Sequence, residues 1–146
     1  HPESKSYASD IDLFKRKVDA GATSAIPQYF YNPDAYFRFV DYCGDAGISI
    51  PIVPGIMPIS NYANLARFSA NCGAEIPRWL DKRLHGFGDD VESLRNFGID
   101  VVSELCEDLL AGGAPGLHFY SMNLSQSVSQ IWTNLDLGNR NQNELP

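Results

Sequence analysis

Three short β-like runs alternate with segments of helical periodicity, and this alternation restricts the fold more than any other feature of the chain. The runs are Ser24–Tyr31, Ser49–Ile56 and Gly116–Tyr120. Between them lie periodic segments too long and too regular to be loops. Such a pattern predicts parallel strands with helices packed outside them, because each strand must be carried back across the sheet by a crossover. Ser49–Ile56 is a nearly continuous Ile/Val run, as a strand buried on both faces requires, although Pro51 belongs near its start.

The helical segments carry their own punctuation. Residues 8–20 place Ile11, Phe14 and Val18 on one face, and Gly21 supplies a stop. Asn32-Pro33 starts a second helix, Asn as cap and Pro in the first turn, with Tyr36, Phe39, Val40 and Cys43 inward and Gly47 at its end. Ser60 or Asn61 caps a third helix carrying Leu65 and Phe68, and Ile76-Pro77 opens a short fourth with Trp79, Leu80 and Leu84. Residues 90–111 form the longest, with Leu94, Phe97, Val101, Val102, Leu105 and Leu109 inward and acidic residues at its positive end. Ser125 caps a last helix through Trp132, and residues 138–146 read as a frayed tail.

The 146 residues suffice for one domain with a substantial core. A net charge of −7 argues against general nucleic-acid affinity, which needs a basic surface. The longest apolar run, Ile48–Ile59, is broken by prolines and too short to cross a membrane as a helix. Cys43, Cys72 and Cys106 have no zinc-ligand spacing and read as reduced, half-buried core thiols of a cytosolic protein; His1, His85 and His118 are equally scattered, and no metal site is expected. The consecutive Lys15, Arg16 and Lys17 read on their own as a solvated helix face.

An α/β barrel displays functional side chains at the carboxyl ends of its strands, and a complete one takes about 250 residues. No Gly-rich phosphate loop follows any strand, which disfavours an open doubly wound sheet. The expected fold is therefore a partial (β/α)8 barrel, roughly its last four βα units, with His1 at a cut edge just past a strand.

Together, HPESKS, FKRKVDAGA, QYFYNPDAYFRFVDYC, PIVPGIMPISNY, RFSANCGAEIPRW and GLHFYSMN closely resemble the methylenetetrahydrofolate reductase family, in matching order and spacing from His1 to about Leu137. The resemblance covers the C-terminal half of that family's catalytic barrel. It implies an enzyme in which FAD takes a hydride from NADH or NADPH and passes it to methylenetetrahydrofolate, giving 5-methyltetrahydrofolate. The complete enzyme would be a cytoplasmic homo-oligomer binding folate and a nicotinamide nucleotide, with no nucleic-acid or membrane partner.

Residue by residue, the resemblance implies FAD contacts at His1, Ser4, Asp10, Arg16 and Lys17. Arg16 and Lys17 suit a pyrophosphate and Asp10 suits ribose hydroxyls. On their own residues these positions read as a solvated helix end with Asp10 as cap. Leu13 (or Asp12, if the register slips) stands where relatives can carry a polar FAD contact. Gln28, at a strand end, offers a neutral amide that can read a pterin edge, and the resemblance gives it folate and nicotinamide contacts. Pro27 replaces a residue that is more often Thr. Phe68 corresponds to an aromatic packing on the p-aminobenzoyl group, and otherwise reads as helix core. Asn64 takes the place of a folate-contacting Gln, and Leu124 stands where relatives carry Arg or Gln. Tyr120 and Asn123 are further candidate lining residues. The family's general acid and its flavin-side Asp fall in the N-terminal half, so no catalytic residue is expected here and Glu3 reads as structural. The isolated chain is expected to be inactive. Its alternative reading is a non-catalytic half-barrel that retains some FAD or nucleotide affinity or pairs with itself.

Overall fold

A computed structural model describes residues 6–138. His1, Glu3, Ser4 and the segment 139–146 lie outside the described residues. The elements in chain order are α1 (Tyr7–Asp19), α2 (Pro33–Asp45), β1 (Gly55–Ile56), α3 (Tyr62–Cys72), α4 (Arg78–His85), α5 (Val91–Ala111), β2 (His118–Phe119) and α6 (Ser125–Asn134).

The extended runs are parallel and adjacent in chain order. Ala25 bridges Ile52, and β1 pairs with β2 in the register Gly55↔His118 and Ile56↔Phe119. The ladders are much shorter than the 24–31, 49–56 and 116–120 strands expected from sequence. Prolines explain part of the shortfall, because they accept but cannot donate. Pro51 accepts from the Ala25 N–H at 2.9 Å and Pro54 from the His118 N–H at 3.0 Å, and neither returns a bond. The middle run is buried on both faces only in its second half: Ile52, Pro54, Gly55 and Ile56 are buried, whereas Ser49 and Pro51 are exposed. β2 is only half-buried.

Helix ends follow local chemistry. The Asn32 side chain accepts from the Asp34 N–H with Pro33 in the first turn, and Asn61, rather than Ser60, caps α3 by accepting from the Asn64 N–H at 2.9 Å. Gly73 ends α3 in the left-handed conformation, φ +70°. Ser125 does not cap α6. It is the first helical residue, and Leu124 precedes it without a side-chain cap. That helix runs on to Asn134, beyond the expected Trp132.

The core is built on α5, whose Leu94, Gly98, Ile99, Val102, Leu105, Cys106 and Leu109 are buried. α6 adds Ile131, α4 adds Leu80 and Leu84, and the middle strand adds Ile52 and Ile56. Trp79, by contrast, is 57% exposed. Cys43 and Cys106 are fully buried rather than half-buried, and only Cys72 is intermediate. α1 has no buried residue and covers the core only partly through Ile11, Phe14 and Val18.

Candidate functional site

Two clefts lie beside the strands, and they share a wall. The first, about 200 Å³, is formed by the segment after β1 (Met57, Pro58, Ser60, Asn61), one face of α3 (Asn64, Leu65, Arg67, Phe68) and the segment after β2 (Tyr120, Ser121, Met122, Leu124), with Ser127 of α6. Every strand-derived part of this lining sits at a carboxyl end. Asn64 and Phe68 are one helical turn apart, so the Asn61 cap that fixes the start of α3 also sets both side chains toward the cleft. Arg67 crosses this face. Its Nη2 donates to Asn64 Oδ1 at 3.2 Å, and its guanidinium carbon stands 5.4 Å from the centre of the Phe68 ring.

The segment after β2 is bent sharply. Met122 and Asn123 both have positive φ, 50° and 61°, in a turn closed by the Leu124 N–H on the Ser121 carbonyl at 2.8 Å. The turn leaves Met122 and Leu124 more than half exposed, at 54% and 60%, on the wall of the cleft. Side chains held in this region cost free energy, and such conformations concentrate at ligand-binding sites.

The second cleft, about 540 Å³, is lined by Tyr7, Asp10, Ile11, Phe14 and Lys17 of α1, by Ala22 and residues 24–27, and by Phe39 of α2. Asp10, Phe14 and Lys17 are spaced four and three apart, which puts a carboxylate, a ring and an ammonium along one helix face. Arg16 is exposed and is not part of this lining. Lys15 is not a solvated charge. It donates to the Ala46 carbonyl at 3.1 Å, at the C-terminal end of α2 where a cation is favoured.

The shared wall is Pro27 and Tyr120. The Tyr120 hydroxyl points to the Pro27 carbonyl at 3.4 Å, and Gly55 lies between them. A Cβ at Gly55 would stand 2.5 Å from the Pro27 oxygen and 2.7 Å from the Tyr120 ring, so glycine is what permits this approach. Gln28 follows Pro27 directly and is exposed. Its Oε1 accepts the Tyr29 N–H at 3.1 Å, so the amide NH2 has no partner among the described residues. Gln28 lines neither cleft and stands beside their common wall.

Behind the wall the strand ends are pinned by tyrosines. Tyr29 shares a hydrogen bond of 2.9 Å with Ser69 of α3, Tyr31 donates to the Met57 carbonyl at 3.1 Å, and Tyr36 donates to the Ile52 carbonyl at 2.7 Å. Burial raises the pKa of all three hydroxyls, Tyr29 to about 12, so they stay protonated. His118 packs edge-on against Tyr120 at 5.0 Å, within the strand rather than in the cleft.

The structure thus brings Asn64, Phe68, Tyr120 and Leu124 into one cleft and Asp10 with Lys17 into the other, and leaves Arg16, Gln28 and Asn123 off both linings. Leu13 is half exposed, at 50%, and likewise lines neither. His1 and Ser4 lie outside the described residues. Sequence reasoning missed Arg67 and Met122. Arg67 neighbours Phe68 in sequence, and only its long side chain folding back over the ring brings it to the same face.

Several known proteins are similar to this chain in sequence. A methylenetetrahydrofolate reductase (NADH) of Arabidopsis thaliana is 42% identical over 91% of this chain and 22% of its own length. The 5,10-methylenetetrahydrofolate reductase of Buchnera aphidicola from Schizaphis graminum is 40% identical over 90% and 45%, and that of Escherichia coli 38% over 86% and 43%. The chain therefore spans less than half the length of these relatives. A solved Clostridium thermocellum protein, described as binding two copies of 5-methyl-5,6,7,8-tetrahydrofolic acid, superposes with a TM-score of 0.58 over 90% of this chain and 48% of its own, at 22% identity, which is a likeness of fold alone. The family model for methylenetetrahydrofolate reductase matches residues 1–136, which include every residue lining the two clefts, and the chain belongs to that family.

Proposed function

We propose that this chain is a sector of a (β/α)8 barrel that reduces 5,10-methylenetetrahydrofolate to 5-methyltetrahydrofolate, and that the cleft between α3 and the turn after β2 receives the folate. The observation that carries the reading is this cleft itself, at the carboxyl ends of adjacent parallel strands with an aromatic ring and an amide on its helical wall. Phe68 offers a face to the p-aminobenzoyl ring, a contact contributing about 0.5–1.5 kcal/mol beyond area burial. Asn64 offers an amide to the polar linkage beside that ring. The unpartnered NH2 of Gln28 gives a neutral donor near the common wall, where a pterin edge would be read without added charge.

The second cleft fits part of a flavin dinucleotide. Ile11, Phe14, Ile26 and Phe39 give an apolar bed, with Asp10 and Lys17 at hand for ribose hydroxyls and a phosphate. Arg16, exposed on the same helical turn, adds positive potential. FAD bound there would supply the two-electron carrier between NADH or NADPH and the folate. The chain's own residues bind and orient. None of the described residues is proposed as the proton donor, and the isolated chain is expected to bind without turnover.

Titration of the chain with 5-methyltetrahydrofolate and with FAD tests the reading. Saturable folate binding weakened by Phe68→Ala, and flavin fluorescence quenching weakened by Lys17→Met, are expected. Absence of folate binding up to millimolar ligand would reject the proposed site.

A further inference from the structure

We propose that Arg67 is the carboxylate-reading residue of the α3 cleft, and that the cleft selects an aromatic amide ending in a carboxylate. The proposal rests on the folate reading above and goes beyond it by assigning the recognition of the ligand's acidic end.

Arg67 is the one cation among the residues lining this cleft, and no Asp or Glu lines it. In a chain of net charge −7, an arginine placed in a cleft without a neighbouring acid is left for an external anion. Its guanidinium is already oriented. One N–H goes to Asn64 Oδ1 at 3.2 Å, and the Phe68 ring lies 5.4 Å away under the cation. Arginine has five N–H donors in a fixed fork, so these contacts leave donors for a carboxylate. Across from α3, Met122 and Leu124 add exposed apolar surface to the lining from a turn with consecutive positive φ values. A ring lying between Phe68 and this surface would carry its substituent past the Arg67 fork. Leu124 supplies no hydrogen bond, so the charge-reading role falls on α3.

The test compares 5-methyltetrahydrofolate with its analogue in which both glutamate carboxylates are amidated. Both are titrated into the wild-type chain, Arg67→Gln and Arg67→Lys, with circular dichroism confirming that each variant keeps its helix content. The wild type should prefer the acid over the bis-amide. Arg67→Gln should lose roughly tenfold in affinity for the acid and little for the bis-amide, and Arg67→Lys should fall between because it keeps the charge but not the fork. Added salt should narrow the gap. Wild-type binding that Arg67→Gln leaves unchanged, or weakens equally for both ligands, would overturn the role of Arg67 while the folate reading stands. Failure of the wild type to bind either ligand would overturn both.

Discussion

Replacing Gly98 by alanine sets two known effects against each other at one position. Gly98 lies inside α5, where alanine would ordinarily gain about 0.8–1.0 kcal/mol from helix propensity. Here, however, a Cβ would collide with the Ile59 carbonyl oxygen and stand 2.7 Å from the Ile59 Cβ. Ile59 is fully buried, and the obstructing atoms are backbone or fixed to it, so relief requires moving the helix away from the segment that floors the α3 cleft. Overpacking of this kind costs about 1–3 kcal/mol, which exceeds the propensity gain over most of its range. The expected outcome is a net loss of about 1 kcal/mol. Gly44 in α2 is the control, because nothing lies within 4 Å of a Cβ there. Gly44→Ala should gain roughly 0.5–1 kcal/mol. Urea unfolding reads both: with a slope of about 1–3 kcal/mol/M, the midpoint should fall by about 0.5 M for Gly98→Ala and rise by a few tenths for Gly44→Ala. A midpoint that rises for both variants would refute the packing of α5 on Ile59.

Two further predictions concern buried groups. Cys43 and Cys106 are buried with their pKa raised by burial, Cys106 to about 12, so brief alkylation of the native chain should label Cys72 first; peptide mass spectrometry showing Cys106 labelled as fast would contradict the core. Burial raises Tyr29 from 10.0 to about 12, so the folded chain holds a proton that the unfolded chain releases. Its contribution to stability is therefore intact below pH 10 and is lost as pH rises toward 12. Tyr29→Phe should flatten the fall of stability with pH in that window, and an unchanged slope would reject the burial of the hydroxyl.

What could be read from the sequence was local. The start of α2 follows from Asn32-Pro33 and that of α3 from Ser60-Asn61, of which the fold uses Asn61; the capping side chains reach backbone only two or three residues away. The α5 stripe follows from helical periodicity, whereas Asn64 and Phe68 were indicated as site residues only by the family resemblance. Strand length was not legible, because ladders depend on which neighbour faces each proline. The role of Lys15 was hidden for a similar reason: its acceptor, Ala46, is 31 residues away. The Tyr29–Ser69 bond spans 40 residues and joins a strand end to α3, an encounter no local pattern announces. Pro27, Gly55 and Tyr120 meet only in the folded chain, and their meeting makes the wall shared by the two clefts.

The central claim, that folate occupies the cleft between α3 and the turn after β2, is tested most directly by backbone amide NMR shifts during titration with 5-methyltetrahydrofolate. The account predicts saturable shifts concentrated in residues 57–68 and 120–124, lost in Phe68→Ala. Saturable shifts confined to another surface, or no shifts at millimolar ligand, would contradict it.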